Sequence, residues 1–121
     1  LQAQRLKEHE WMTRLNVQHE GYMPFGQGRA NEMFEDPKIL EIAAKYGKTP
    51  RQVALRYQIQ CGVIVIPKSV NPERVRANAE VFDFALSDQD MAALRSMDME
   101  KPLTGDPETP ERTMKITGFK L

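Results

Sequence analysis

Lys68, Ser69 and Arg74 are anion-binding residue types gathered into one short stretch, Gly62-Val63-Ile64-Val65-Ile66-Pro67-Lys68-Ser69-Val70-Asn71-Pro72-Glu73-Arg74. The run Val63 to Ile66 is β-branched and apolar on both faces. It predicts a strand buried on both sides, as in a parallel sheet covered by helices. Pro67 cannot donate to a ladder and ends the strand. Asn71-Pro72 then supplies an N-cap residue and a proline at the first helical position. The stretch reads strand, short loop, helix, with the cations at the junction. A helix start presents free backbone N–H groups and a partial positive charge. A lysine and an arginine beside it suit a dianionic phosphate better than a carboxylate. A surface loop with two solvated cations is the competing reading, and the local sequence leaves both open.

Other elements must position these residues. Residues 2 to 15 are rich in helix formers, with Leu6, Trp11, Met12 and Leu15 as a partial apolar stripe and Asn16 as the stop. Val17 to Tyr22 is expected as a short strand. Met23-Pro24-Phe25-Gly26-Gln27-Gly28-Arg29 is a loop by composition, whose glycines would let backbone approach a ligand. Asp36-Pro37 opens a helix with Ile39, Leu40, Ile42 and Ala43 on its apolar face, and Gly47 closes it. Thr49-Pro50-Arg51-Gln52 has capping-box spacing and opens a helix that Gly62 closes. Pro72 to Phe82 is the next helix. Ser87 to Asp90 is expected as another capping box, opening a helix through Met91, Leu94 and Met97. Prolines 102, 107 and 110 interrupt the remainder, so 100–121 is expected as an irregular tail. The order contains two strands, each followed by helix, which is a pair of βα units.

Bulk properties exclude several classes. The chain has 121 residues, with 17 basic and 17 acidic side chains, so it has no charge footprint for nucleic acid or an anionic membrane. No apolar run approaches the length of a membrane span, and no apolar segment follows the N-terminus as in a signal peptide. The chain begins with Leu1, which points to an absent N-terminal part. One cysteine, Cys61, excludes an internal disulfide, fits a reducing, cytoplasmic setting and is expected as a buried thiol. There is no Cys-x-x-Cys, no His-x-x-x-His and no Gly-x-x-x-x-Gly-Lys-Ser/Thr loop, so no metal is expected.

The run Ile-Pro-Lys-Ser-Val-x-Pro-Glu-Arg from Ile66 to Arg74, followed by Asn78 and then Val81-Phe82-Asp83-Phe84-x-Leu86-Ser87, resembles the C-terminal signature of the aldo-keto reductases. Gln18-His19-Glu20-Gly21-Tyr22-Met23-Pro24-Phe25-Gly26 with Arg29 is most similar to the bacterial branch that includes 2,5-diketo-gluconate reductases. The resemblance implies an α/β fold that is the C-terminal portion of a (β/α)8 TIM barrel, about two βα units plus a tail. A complete barrel takes about 250 residues, so 1–121 is expected as a partial domain, with 100–121 bordering the substrate pocket. Phe119 and Met114 are candidates for its lining.

The resemblance further implies an NADPH-dependent reductase acting on a small carbonyl substrate. Lys68, Ser69 and Arg74 would hold the cofactor's 2′-phosphate, with Val70 and Asn71 beside them. Asn78 would contact the adenine and Tyr22 would stack on the nicotinamide. Phe25, Gly26 and Gln27 would line the pyrophosphate side. Two positions depart from the family pattern: Ala77 stands where many members have glutamate, and Met23 where many have serine. The family's catalytic tyrosine, lysine, aspartate and histidine lie on earlier strands, so none is assigned here. His9, His19, Tyr46 and Tyr57 are expected to be structural. Catalysis is therefore expected of an intact parent enzyme and left open for this chain alone. The alternative is a non-catalytic nucleotide-binding or regulatory module on the same fold. Two strands leave open apolar edges, so self-association is expected if the chain stands alone.

Overall fold

The computed structural model describes residues 1–26 and 30–100. In order these form α1 (Leu6–Arg14), β1 (Glu20–Tyr22), α2 (Ala30–Phe34), α3 (Pro37–Tyr46), α4 (Pro50–Gln60), β2 (Ile64–Ile66), α5 (Pro72–Ala79) and α6 (Asp88–Arg95). Capping chemistry sets the starts of α3, α4, α5 and α6. The side chains of Asp36, Thr49, Asn71 and Ser87 accept the first-turn N–H groups of Lys38, Gln52, Arg74 and Asp90. Thr49 and Gln52 make the complete capping box. The box expected at Ser87 is only half formed. The Ser87 N–H donates to the Tyr46 hydroxyl at 3.0 Å, and the Asp90 carboxylate accepts instead from Lys45, Tyr46 and Ser87 side chains.

Three helix ends follow one pattern. Asn16, Gly47 and Gly62 take left-handed φ values of 53°, 62° and 78° after α1, α3 and α4. The next amides, of Val17, Lys48 and Val63, donate back to the Met12, Ala43 and Gln58 carbonyls. This explains why β1 is shorter than expected. Val17 is engaged in closing α1, and the ladder begins only where Ile64 N–H meets the His19 carbonyl, at 3.0 Å. At the other end, the helix expected to reach Phe82 stops at Ala79, where the Gln52 amide takes the carbonyls of Ala77 and Glu80. The five-residue α2 was not expected; it is too short to show a period, and it forms where Met33 and Phe34 bury themselves.

β1 and β2 pair in parallel, with Glu20, Gly21 and Tyr22 opposite Ile64, Val65 and Ile66. The expectation of burial on both sides fails, since Ile64 and Ile66 are 49% and 48% exposed. α4 covers the opposite face, where Gly21 lies close to Val63 and Gln58. Among the described residues each strand has one neighbour, and the Ile64–Ile66 face is left half-exposed. The core lies instead among the helices, with Ile39, Ile42, Val53, Ala54, Tyr57 and Leu94 in one buried cluster. Cys61 is half-buried. No helix among the described residues is long and apolar enough to cross a membrane. The tail from residue 101 on, with Met114 and Phe119, lies outside the described residues.

Candidate anion-binding site

Parallel pairing sends both strand-to-helix connections out at one edge of the sheet. That edge, at the carboxyl ends of the strands, is where α/β folds form their ligand sites. Tyr22 is opposite Ile66, so it stands at the level where the chain leaves β2 toward Lys68. It is 62% exposed, on the same half-exposed face as Ile64 and Ile66.

The connection after β2 is held by its own polar groups. Ser69 Oγ accepts the Asn71 N–H at 3.1 Å, and Asn71 Oδ1 accepts the Arg74 N–H at 3.1 Å. Asn71 is thus engaged as a cap, which leaves its amide nitrogen for other partners. Lys68 and Val70 are exposed. One turn apart on α5, Arg74 and Asn78 line a groove of about 340 Å³ together with Ala77, Arg51, Phe34 and Glu35.

Gln52 sets the width of that groove. Its Oε1 accepts from the N–H and the hydroxyl of Thr49, both at 3.0 Å, and its Nε2 donates to the Ala77 and Glu80 carbonyls, both at 3.2 Å. One buried amide therefore caps the start of α4 and the end of α5 at once. Beside it, the Arg51 guanidinium lies 5.1 Å and 4.7 Å from the ring centroids of Phe25 and Phe34. Those rings meet edge-on at 5.8 Å. Burial, and after it the charge of Arg74, push the Arg51 pKa below the ordinary guanidinium value. Two like charges sharing a groove are what an anion would offset.

Of the residues singled out from sequence, Arg74 and Asn78 share the groove. Lys68, Ser69, Val70 and Asn71 form the adjoining loop. Phe25 is partly buried against the core, beneath Arg51. Gly26 closes a turn, with φ 68° and its N–H donating to the Met23 carbonyl at 2.9 Å. Gln27 lies outside the described residues. Arg51 was missed; the only signal was a cation at the start of a capped helix, which does not say what it faces. The donor set of Lys68, Ser69, Arg74 and Asn78 fits a phosphate-bearing nucleotide, whose ionised phosphate oxygens are acceptors.

A second cavity, of about 240 Å³, lies between α1, β1 and α4, with His9, His19, Tyr57 and Cys61 on its wall. His9 Nδ1 and His19 Nδ1 are 3.0 Å apart, so one ring donates and the other accepts. Burial, then the charge of His9, push the His19 pKa down, while Glu8 opposes them. The Tyr57 hydroxyl donates to Gln4 Oε1 at 2.6 Å, and burial followed by Cys61 pushes its pKa up. His9 and His19 thus bond each other, Tyr57 bonds Gln4, and Tyr46 bonds Asp90 and Ser87. Among the described residues no three His, Cys, Asp or Glu side chains gather as a metal site.

The family model for the aldo/keto reductase family matches residues 4–99. An aldo-keto reductase of Mycolicibacterium smegmatis is 48% identical over 106 residues, covering 88% of this chain and 36% of that protein. Methylglyoxal reductase DkgA of Salmonella typhimurium is 38% identical over 105 residues, covering 87% of this chain and 38% of its own length. Among solved structures, MGS-M4, an aldo-keto reductase enzyme from a Medee basin deep-sea metagenome library, superposes with a TM-score of 0.86 at 32% identity, over 89% of this chain and 40% of that one. A mutant of Gox0644 in complex with NADPH superposes with a TM-score of 0.77 at 38% identity, over 93% and 39%. The chain thus spans 36% and 38% of the length of the two sequence relatives, and its α/β fold is a portion of the TIM barrel of such enzymes.

Proposed function

The chain belongs to the aldo/keto reductase family, and from that premise we propose that it is the cofactor-holding part of an NADP(H)-dependent reductase of small carbonyl compounds. Bound there, the cofactor supplies hydride to a carbonyl carbon. Lys68 and Arg74 bind the dianionic 2′-phosphate and Ser69 donates a hydrogen bond to it. Val70 and Asn71 carry the loop past the ribose, and Asn78 contacts the adenine. Tyr22 lies against one face of the nicotinamide and leaves the other for the substrate. Phe25, Gly26 and Gln27 flank the pyrophosphate. The proton for the carbonyl oxygen comes from groups outside this chain, in which no residue is assigned as general acid. The reading puts the protein in the cytoplasm, in keeping with its single thiol.

One observation carries this reading. The Lys68–Ser69 loop and the capped start of α5 follow β2 at the edge of the parallel sheet where Tyr22 ends β1, and Arg74 and Asn78 of that helix line the groove. The test is nucleotide affinity, read by quenching of intrinsic fluorescence in the protein expressed at its full natural length. NADPH should bind more tightly than NADH. Lys68→Met and Arg74→Gln should each weaken NADPH by about 10- to 150-fold, the equivalent of one hydrogen bond to a charged group, with NADH nearly unchanged. Equal affinity for the two nucleotides in the unaltered protein would sink the proposal.

A further inference from the structure

Arg51 occupies the second position of α4 and takes no part in the reading above. It is braced on Phe25 and Phe34. An aromatic face attracts a guanidinium without using its N–H groups, which lie in the guanidinium plane. No carboxylate forms an ion pair with Arg51 among the described residues. The groove wall carries two guanidiniums, of Arg51 and Arg74, against one carboxylate, of Glu35. Burial and the charge of Arg74 both disfavour the Arg51 cation, and the Gln52 clamp joins the two helices that carry these guanidiniums.

We propose that Arg51 is a second guanidinium of the nucleotide site, held by Phe25 and Phe34 to donate to the phosphate-bearing adenosine end of the cofactor across the groove from Arg74. It is a specificity residue, favouring the phosphorylated nucleotide over the unphosphorylated one. The inference rests on the NADP(H) reading, and the experiment separates the two.

In the full-length protein, Arg51→Met keeps an apolar stem on the two rings and removes the charge. NADPH and NADH dissociation constants would be measured for this variant and for Arg74→Gln, at low and high salt. The expected result for Arg51→Met is NADPH weakened about 10-fold, the loss of one charge-assisted contact, with NADH within twofold and a shallower salt dependence for NADPH. An equal loss for both nucleotides would assign Arg51 to adenine contact or to the fold and overturn the inference, as would no loss for either. If Arg74→Gln discriminates between the nucleotides and Arg51→Met does not, only the inference falls. If neither discriminates, the NADP(H) reading falls with it. Should Arg51→Met fail to fold, Arg51→Lys decides. A several-fold loss confined to NADPH supports the planar fork, and wild-type NADPH affinity overturns it.

Discussion

Asp90 gathers hydrogen bonds from three side chains, Lys45 Nζ at 2.7 Å, Tyr46 Oη at 2.6 Å and Ser87 Oγ at 2.6 Å. Burial by itself would raise its pKa; the bonds from Lys45, Ser87 and Tyr46 override it and hold the carboxyl well below the usual carboxylate range. The sign follows from linkage. A folded pKa below the unfolded value of about 3.9 contributes stability that is present above that value and lost as pH falls through the folded one. The thermal midpoint should therefore fall below pH 4, and Asp90→Asn should be less stable at pH 6 and show a flatter acid limb. Identical acid slopes in melts from pH 6 to pH 2 would refute this. The Tyr46 hydroxyl also accepts the Ser87 N–H, so Tyr46→Phe should cost about 1–3 kcal/mol, read as a shift in the urea midpoint. His19 adds an opposite-charge case near neutrality. Its lowered pKa means that the unfolded chain binds the proton more readily, so stability declines as pH drops through about 6.5. His19→Gln should remove that decline between pH 7 and pH 5.

Elements in this chain are joined by amides as much as by apolar packing. Gln52 ties the start of α4 to the end of α5, and Gln60 pairs with both backbone groups of Leu86, at 2.7 Å and 3.1 Å. Gln52→Leu leaves two carbonyls and a cap without their partner, so a loss of about 2–4 kcal/mol is expected, measured by denaturant unfolding. NADPH affinity should fall in the same variant, because Gln52 sets the spacing of Arg51 and Arg74. Gly62 ends α4 and launches β2 at φ 78°, with open space where a Cβ would stand. Gly62→Ala should then cost only the left-handed backbone penalty, about 1–2 kcal/mol. Gly62→Asn should cost less, since Asn16 already adopts the same conformation after α1.

For the molecule as a whole, Tyr22, Ile64 and Ile66 form a part-exposed apolar strip on a two-stranded sheet. The 121-residue chain by itself should therefore self-associate, giving species heavier than 13.9 kDa in sedimentation at rising concentration, and Ile64→Lys with Ile66→Lys should suppress them. A concentration-independent monomer would count against this. Much of the fold was legible before any tertiary contact, because its signals act over a few residues. Asp36-Pro37, Thr49 with Gln52, and Asn71-Pro72 satisfy N–H groups within three positions of themselves, while Asn16, Gly47 and Gly62 satisfy carbonyls within five. For that reason the starts of α3 to α6, the βα order and the cations around the start of α5 could be read from spacing, and the family signature lay in the same local run. The burial of β2 could not, since a β-branched run says what a strand can bury but not what will cover it. Nor could the partners across the groove. Residues 31–35, 49–52 and 74–78 meet only because α4 packs on α5 and the Gln52 amide joins them. The facing of Arg51 and Arg74, like the pairing of His9 with His19, is a property of that packing and has no counterpart in residue spacing.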